Sequence, residues 1–329
     1  MKKIIQLSFY LIIISIFSIL FFACKDENKV DKNENDTQPK KAVNVPIFNA
    51  DTAFNYIEKQ LSFGFRNPGS KGQTQCAAWL KTEFEKYADT VYIQKTNVIQ
   101  AVSKKTYPAI NIIAAFNPQA TDRILLLAHW DSRPWADEDS KDKDKPILAA
   151  DDAGSGVAVL LEIARHLKTQ KPNLGIDILL VDAEDVGRSE WSEESYCLGT
   201  QHWAKNPHVP NYKAKFGICL DMVGAKGAQF PLETFSQNYA PNVQRKVWDI
   251  ANRIGYSDYF RYVQGGAITD DHVVVNELAK IPCIDIINLQ PNGSFGSHWH
   301  THNDNLEIID KNVLKAVGQT VLHVVYEEE

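Results

Sequence analysis

Only five cysteines occur among the 329 residues of this chain, and no two of them stand in a CxxC pair. That argues against a thiolate-held zinc. No HExxH segment is present, so the helix-borne zinc site of the thermolysin type is excluded. There is no GxSxG elbow and no cysteine placed as a nucleophile. The short run "AGSG" lacks both the length and the lysine of a phosphate-binding loop. Neither a basic block nor an arginine stripe appears, and the net charge is −6. Nucleic-acid binding rests on phosphate neutralisation and is not expected here. No internal repeat or domain linker interrupts the chain. With 44% hydrophobic and 23% charged residues it has ordinary globular composition, of a length for one large domain or two small ones.

The amino terminus stands apart from this composition. Lys2 and Lys3 precede an apolar run from Ile4 to Phe22, followed by "FFAC". Residues 1–23 read as a signal peptide, and the segment resembles a bacterial lipoprotein signal with Cys24 as the lipidated residue. The alternative is an uncleaved anchor, since the run is almost long enough to span a bilayer. Either reading puts the folded part outside the cytoplasm, as a periplasmic or outer-membrane-attached protein whose only membrane contact is the anchor. Residues 24–41 contain one aliphatic side chain and no aromatic one, so they form a disordered tether. Residues 42–329 are left as the catalytic domain. Nothing in the sequence specifies an oligomeric state or a disulfide pairing, and Cys219 and Cys283 lie inside apolar runs as small buried hydrophobes.

Helical and strand patterns then alternate. "DTAFNYIEKQLSF", with Asp51 as its cap, and "CAAWLKTEFEKY" have apolar residues at helical spacing. So do "GVAVLLEIARHLKT", "NVQRKVWDIANRIG", "DHVVVNELAK" and the C-terminal "DKNVLKAVGQTVLHVVYE". Between them "INIIAAF", "RILLLAH", "DILLVDA", "FGICLDM" and "CIDIINL" are short aliphatic runs. Such runs are strands buried on both faces. The expected fold is a single α/β domain, a twisted and largely parallel central sheet with helices on both faces.

Ligands of such sheets bind beyond the carboxyl ends of the strands. There the sequence places His129 and Asp131 after one strand, Glu184-Asp185 after a second and Asp221 at the end of a third. The loop "SHWHTHND" follows a fourth, and Asp151-Asp152 precede a helix. Histidine and carboxylate ligands without cysteine suit a catalytic zinc with an open position. Of the adjacent Glu184 and Asp185, one can ligate while the other moves protons; alone, such a pair would read as two solvated loop acids, and the other segments decide against that. The run "DEDSKDKDK" reads as a solvated loop of mixed charge. His166, His202, His208 and His323 have no acidic constellation around them, while His272 follows two aspartates as a donor behind the site. Trp79, Trp203 and Trp248 read as core.

The ordered set "LLAHWDSR", "AADDAGSGVAVLLEIAR", "DILLVDAEDVG", "CLDMVGA" and "WHTHNDN" resembles the M28 zinc-peptidase superfamily. Within it the closer likeness is to the glutaminyl-peptide cyclotransferases, from about residue 48 to the C-terminus. The resemblance implies one zinc per chain, held by Asp152, Asp185 and His300. It implies Glu184 as general base and then acid, with Asp221 and Asp270 in an acidic network near the substrate amine. Trp191, Phe295 and Trp299 would wall the pocket, and His298 and His302 would not ligate. Asp185 departs from the glutamate common in relatives, and the loop "QPNGSFGS" is longer than in animal enzymes. The substrates implied are peptides and proteins with N-terminal glutamine, cyclised to pyroglutamate with loss of ammonia. A di-zinc aminopeptidase is the rival, because His129, Asp152, Asp185, Asp221 and His300 make up a five-ligand set. Asp131 joins His129 as a second-metal or supporting residue. A peptide-binding lipoprotein without activity is the third reading, and a free acid at Glu184 argues against it.

Overall fold

Four of the five aliphatic runs become parallel strands, for the physical reason that made them legible: no position on them faces water. The computed structural model describes residues 43–188, 190–290 and 292–328, so the signal segment, Cys24 and the tether lie outside the described residues. The strands are β1 Thr90–Ile99, β2 Thr106–Phe116, β3 Arg123–His129, β4 Gly175–Val181, β5 Phe216–Asp221, β6 Phe230–Leu232, β7 Phe260–Gln264 and β8 Cys283–Ile287. The helices are α1 Ala50–Leu61, α2 Lys71–Glu85, α3 Gly154–Thr169, α4 Leu198–Lys205, α5 Thr234–Tyr239, α6 Pro241–Arg253, α7 Asp271–Val274 and α8 Lys311–Glu327.

Six strands form the main sheet in the order β1-β2-β4-β3-β5-β8. β4, β3, β5 and β8 are mutually parallel, whereas β2 runs antiparallel to β4, and β1 antiparallel to β2. The "INIIAAF" run of β2 is therefore buried as expected but reversed in direction. Alternate residues of β3 point to opposite faces. Ile124, Leu126 and Ala128 pack with Ile57 of α1, Leu161 of α3 and Val321 of α8. Leu125 and Leu127 pack instead with Trp203 of α4 and Val275. Helices thus cover both faces. Within α1 the cap is Asn49, whose side chain accepts the N–H of Thr52, and not Asp51, which lies inside the first turn.

The chain passes from β3 through α3 to β4, then crosses back past β3 to β5. Loops leaving neighbouring strand ends in different directions open a crevice between them. Gly156 lets α3 close on that crevice, since a Cβ there would lie 2.3 Å from the Leu220 carbonyl oxygen. No helix among the described residues is long and apolar enough to cross a membrane.

Candidate active site

His129 ends β3, Asp182 follows β4, Asp221 ends β5 and Asn288 follows β8, so the parallel strands deliver their polar successors to one edge. The backbone bends sharply there. Ala183, Met222 and His300 all have positive φ, at 55°, 49° and 54°. That conformation costs a non-glycine residue roughly 1–2 kcal/mol, and such strain gathers where side chains must be aimed. The Asp152–Ala153 peptide bond is cis.

Two buried trios meet at Asp152. Ligand atoms of Asp152, Asp185 and His300 lie within 4.8 Å of one another, as do those of His129, Asp152 and Asp221. In the first, His300 Nε2 is 3.6 Å from Asp152 and 3.5 Å from Asp185. Asp185 Oδ2 is buried without a hydrogen-bond partner, an arrangement costly unless a cation or donor takes it up. Burial, and then the Arg133 guanidinium, hold the His300 imidazole down to about 3, in the neutral form that binds metals. The second trio is knitted by its own hydrogen bonds: His129 Nε2 lies 3.0 Å from Asp152 and 3.3 Å from Asp221. Burial works against a proton on His129, but Asp131, Asp152 and Asp221 outweigh it and raise the imidazole well above its ordinary value.

Glu184 stands outside both trios. Its Oε1 accepts from the Cys197 thiol at 3.4 Å, and burial pushes its carboxyl well above the usual range. Burial likewise carries Asp221 up to about 7 despite the hydrogen bond to His129. Asp131 accepts the backbone N–H groups of both Glu184 (3.1 Å) and Asp185 (3.3 Å). It therefore fixes the turn from behind. Asp270 caps α7 through the N–H of Asp271 and takes the Cys219 thiol at 3.5 Å. All four of Cys76, Cys197, Cys219 and Cys283 are free and buried.

A cavity of about 270 Å³ opens on this edge, lined by Glu184, Asp185, Asp270, Phe295, Trp299 and His300 among others. Phe295 and Trp299 have ring centroids 4.4 Å apart, and Trp299 stacks on His300 at 3.6 Å. Trp191, expected as a third wall, is not in this lining. It lies edge-on to Trp135, 6.1 Å away. Trp203 and Trp248 are fully buried core residues, and Trp79 packs half-buried against Tyr56 and Phe63.

The three alternate histidines part ways. His300 joins the first trio, His298 turns inward to Asp151 at 3.0 Å, and His302 meets Asp139 at 2.9 Å near the surface. His272 is buried with Nε2 at 3.2 Å from Glu233. His166 and His323 each find a carboxylate one helical turn away, at Glu162 and Glu327.

Arg133 and Asp304 carried no role in the sequence reading, and Asp137 only that of a solvated loop acid. Arg133 is fully buried; it donates to Asp185 Oδ1 and, at 2.7 and 2.6 Å, to Asp137. The acidic run that opens at Asp137 is therefore not wholly a solvated loop: Asp137 braces the site, recruited by the buried Arg133 and His300, while Asp139 pairs with His302 near the surface. Arg133 sat in the quoted "HWDSR" two places after Asp131, which was the available signal. Asp304 is fully buried and accepts the N–H groups of Asp151 (2.7 Å) and Asp152 (3.1 Å).

Known proteins share this architecture. A crystal structure of Bacteroides thetaiotaomicron glutaminyl cyclase bound to N-acetylhistamine is similar at 46% identity and TM-score 0.85, over 87% of this chain and 100% of that one. A structure named as a leucine aminopeptidase precursor, from the same species, is similar at 46% and 0.84, over 88% and 100%. Glutaminyl-peptide cyclotransferase of Bos taurus is 26% identical over 64% of this chain, which spans 63% of that relative's length. The family model described as peptidase family M28 matches residues 111–325. With that match laid over the strand-end residues just described, the chain belongs to peptidase family M28.

Proposed function

We propose that this protein cyclises the N-terminal glutamine of peptides and proteins to pyroglutamate, releasing ammonia, with one zinc per chain held by Asp152, Asp185 and His300. The observation that carries the reading is the aromatic pair Phe295 and Trp299 beside His300, lining the same cavity as a carboxylate, Glu184, that belongs to neither trio meeting at Asp152. The residues fit the ion: a buried partnerless Asp185 oxygen, a neutral imidazole and no cysteine form a zinc-competent donor set. Zinc bound there would supply Lewis-acid polarisation of the side-chain amide.

The chain's own residues do the rest. Phe295 and Trp299 hold the glutaminyl side chain folded back toward its own α-amine, the entropic part of the problem. Glu184 takes a proton from that amine as its nitrogen bonds to the amide carbon. The same proton goes to the departing nitrogen as its bond to that carbon breaks, and ammonia leaves. A carboxyl raised by burial is suited to holding the proton between the two steps. Asp270 and Asp221 accept hydrogen bonds around the amine, and Asp131 keeps Glu184 and Asp185 in register.

The aminopeptidase reading draws on the second trio of His129, Asp152 and Asp221. Mass spectrometry separates the two. A Gln-initiated peptide that loses about 17 mass units and no residue supports cyclisation. Free amino acids from Leu- or Ala-initiated peptides, with intact Gln peptides, establish the peptidase instead. Attachment through a lipidated Cys24, on the periplasmic side or at the outer membrane, belongs to the same proposal and draws on the signal-like sequence before it. Cys24→Ser should release the protein from membranes, whereas continued attachment would mean a spanning anchor.

A further inference from the structure

A second cavity of about 530 Å³ adjoins the first, and Glu193 and Thr269 line both. It meets the first at a particular end. Thr269 precedes Asp270, and Cys197, whose thiol donates a hydrogen bond to Glu184, also lines the second cavity. No member of the Asp152, Asp185 and His300 trio does. Its lining joins two exposed aliphatic side chains, Ile99 at 64% and Leu278 at 42% exposure, to the carboxylates of Glu193, Glu194 and Glu277. Lys205 is the single cation among them.

We propose that this cavity receives the residues following the N-terminal glutamine of a peptide substrate, and that it favours a basic side chain at the second or third position over an acidic one. The inference rests on the cyclisation reading and adds a direction to it. In an N-terminal residue the α-amine and the carbonyl leading to the next residue hang on the same Cα. An amine held at Glu184 and Asp270 therefore starts the rest of the peptide at that end, while the side-chain amide points to the trio. The way out passes Glu193 and Thr269. An extended peptide advances about 3.3 Å per residue, so the second and third residues reach the adjoining space. Three carboxylates against one ammonium give that space a negative potential. Tyr239 donates to Glu277 at 2.7 Å, which fixes that carboxylate without neutralising it. Ile99 and Leu278 offer apolar surface to the methylene stems of lysine or arginine.

The zinc-loaded protein is assayed with glutamine amide, Gln-Lys and Gln-Glu amides, and Gln-Ala-Lys and Gln-Ala-Glu amides. The kcat/KM ratio of lysine to glutamate peptides is expected at roughly three- to tenfold in low salt, shrinking as exposed charges are screened. In the Glu194→Gln/Glu277→Gln double variant the ratio falls toward one, while turnover of glutamine amide is unchanged. A ratio of one in the unaltered protein, or a ratio that survives the double variant, overturns the proposal. Equilibrium binding of the same peptides to Glu184→Gln reads the cavity without turnover. Equal affinities there overturn the subsite. A lysine preference in binding, with no ammonia released from any Gln peptide by the unaltered enzyme, overturns the cyclisation reading and supports the subsite.

Discussion

The indole of Trp299 lies nearly parallel to the imidazole of His300, their centroids 3.6 Å apart and their planes inclined by 22°. One residue thus presents a flat wall to the cavity while its neighbour faces Asp152 and Asp185. Trp299→Ala should lower kcat/KM on Gln peptides by about 10- to 100-fold, the scale of lost positioning, and leave metal content unchanged. Metal analysis beside steady-state kinetics checks this. Loss of metal in step with activity would mean that the indole serves only to hold His300.

The three histidines of the final loop should separate in a metal titration. His300→Ala is expected to lose most of the bound zinc. His302→Ala, altering a surface contact to Asp139, should retain it with unchanged stability. His298→Ala should retain zinc yet lose about 1–3 kcal/mol of stability, because Asp151 is left buried without its partner. Full zinc in His300→Ala would refute the ligand assignment.

Glu184→Gln keeps the size of the side chain and removes its proton chemistry. Zinc and thermal midpoint should stay within error while kcat falls by about 10²–10⁴-fold, the usual contribution of a general acid–base group. If zinc departs as well, Glu184 and Asp185 have exchanged roles.

Glu233 offers a pH test away from the metal ligands. Its carboxylate accepts the N–H groups of Phe235, Ser236 and Ile268 and lies against His272. Burial raises its carboxyl, but His272 and these N–H groups outweigh burial and hold it down to about 2, from an ordinary 4.5. The folded value lies below the unfolded one, so the stabilisation is complete above about pH 4.5 and lost as the pH falls to about 2. The stability gap between the unaltered protein and Glu233→Gln should therefore be constant above pH 5 and narrow below about pH 4. Urea melts of both at pH 6 and pH 3.5 measure it. A gap that widens on acidification would contradict the sign.

Much of this was written along the chain, and the reasons differ by element. The parallel strands could be read because burial on both faces leaves only aliphatic residues, as in "RILLLAH", which is buried throughout. β1 escaped notice because it is a sheet edge with mixed exposure and polar residues such as Gln94, Lys95 and Asn97. Strand ends pointed to Glu184, Asp185 and Asp221, and a helix start to Asp152. The supports did not announce themselves, since Arg133 reaches Asp185 across 52 positions and Asp304 reaches Asp151 across 153. A partner at such a distance leaves no periodic trace. Trp191 is similar: the resemblance implied a pocket wall, whereas its indole lies edge-on to Trp135.

The bond from Asp304 to Asp151 also bears on the order in which the molecule is made. Contacts between distant segments form late, because chain closure must precede any gain from them. A chain still being synthesised carries Asp152 and Asp185 for a long interval before the loop with His300 and Asp304 exists to close on them. In the proposed zinc site, capture of the ion would thus wait for the loop between β8 and α8, and a chain ending before His300 would hold two carboxylates in place of a metal centre.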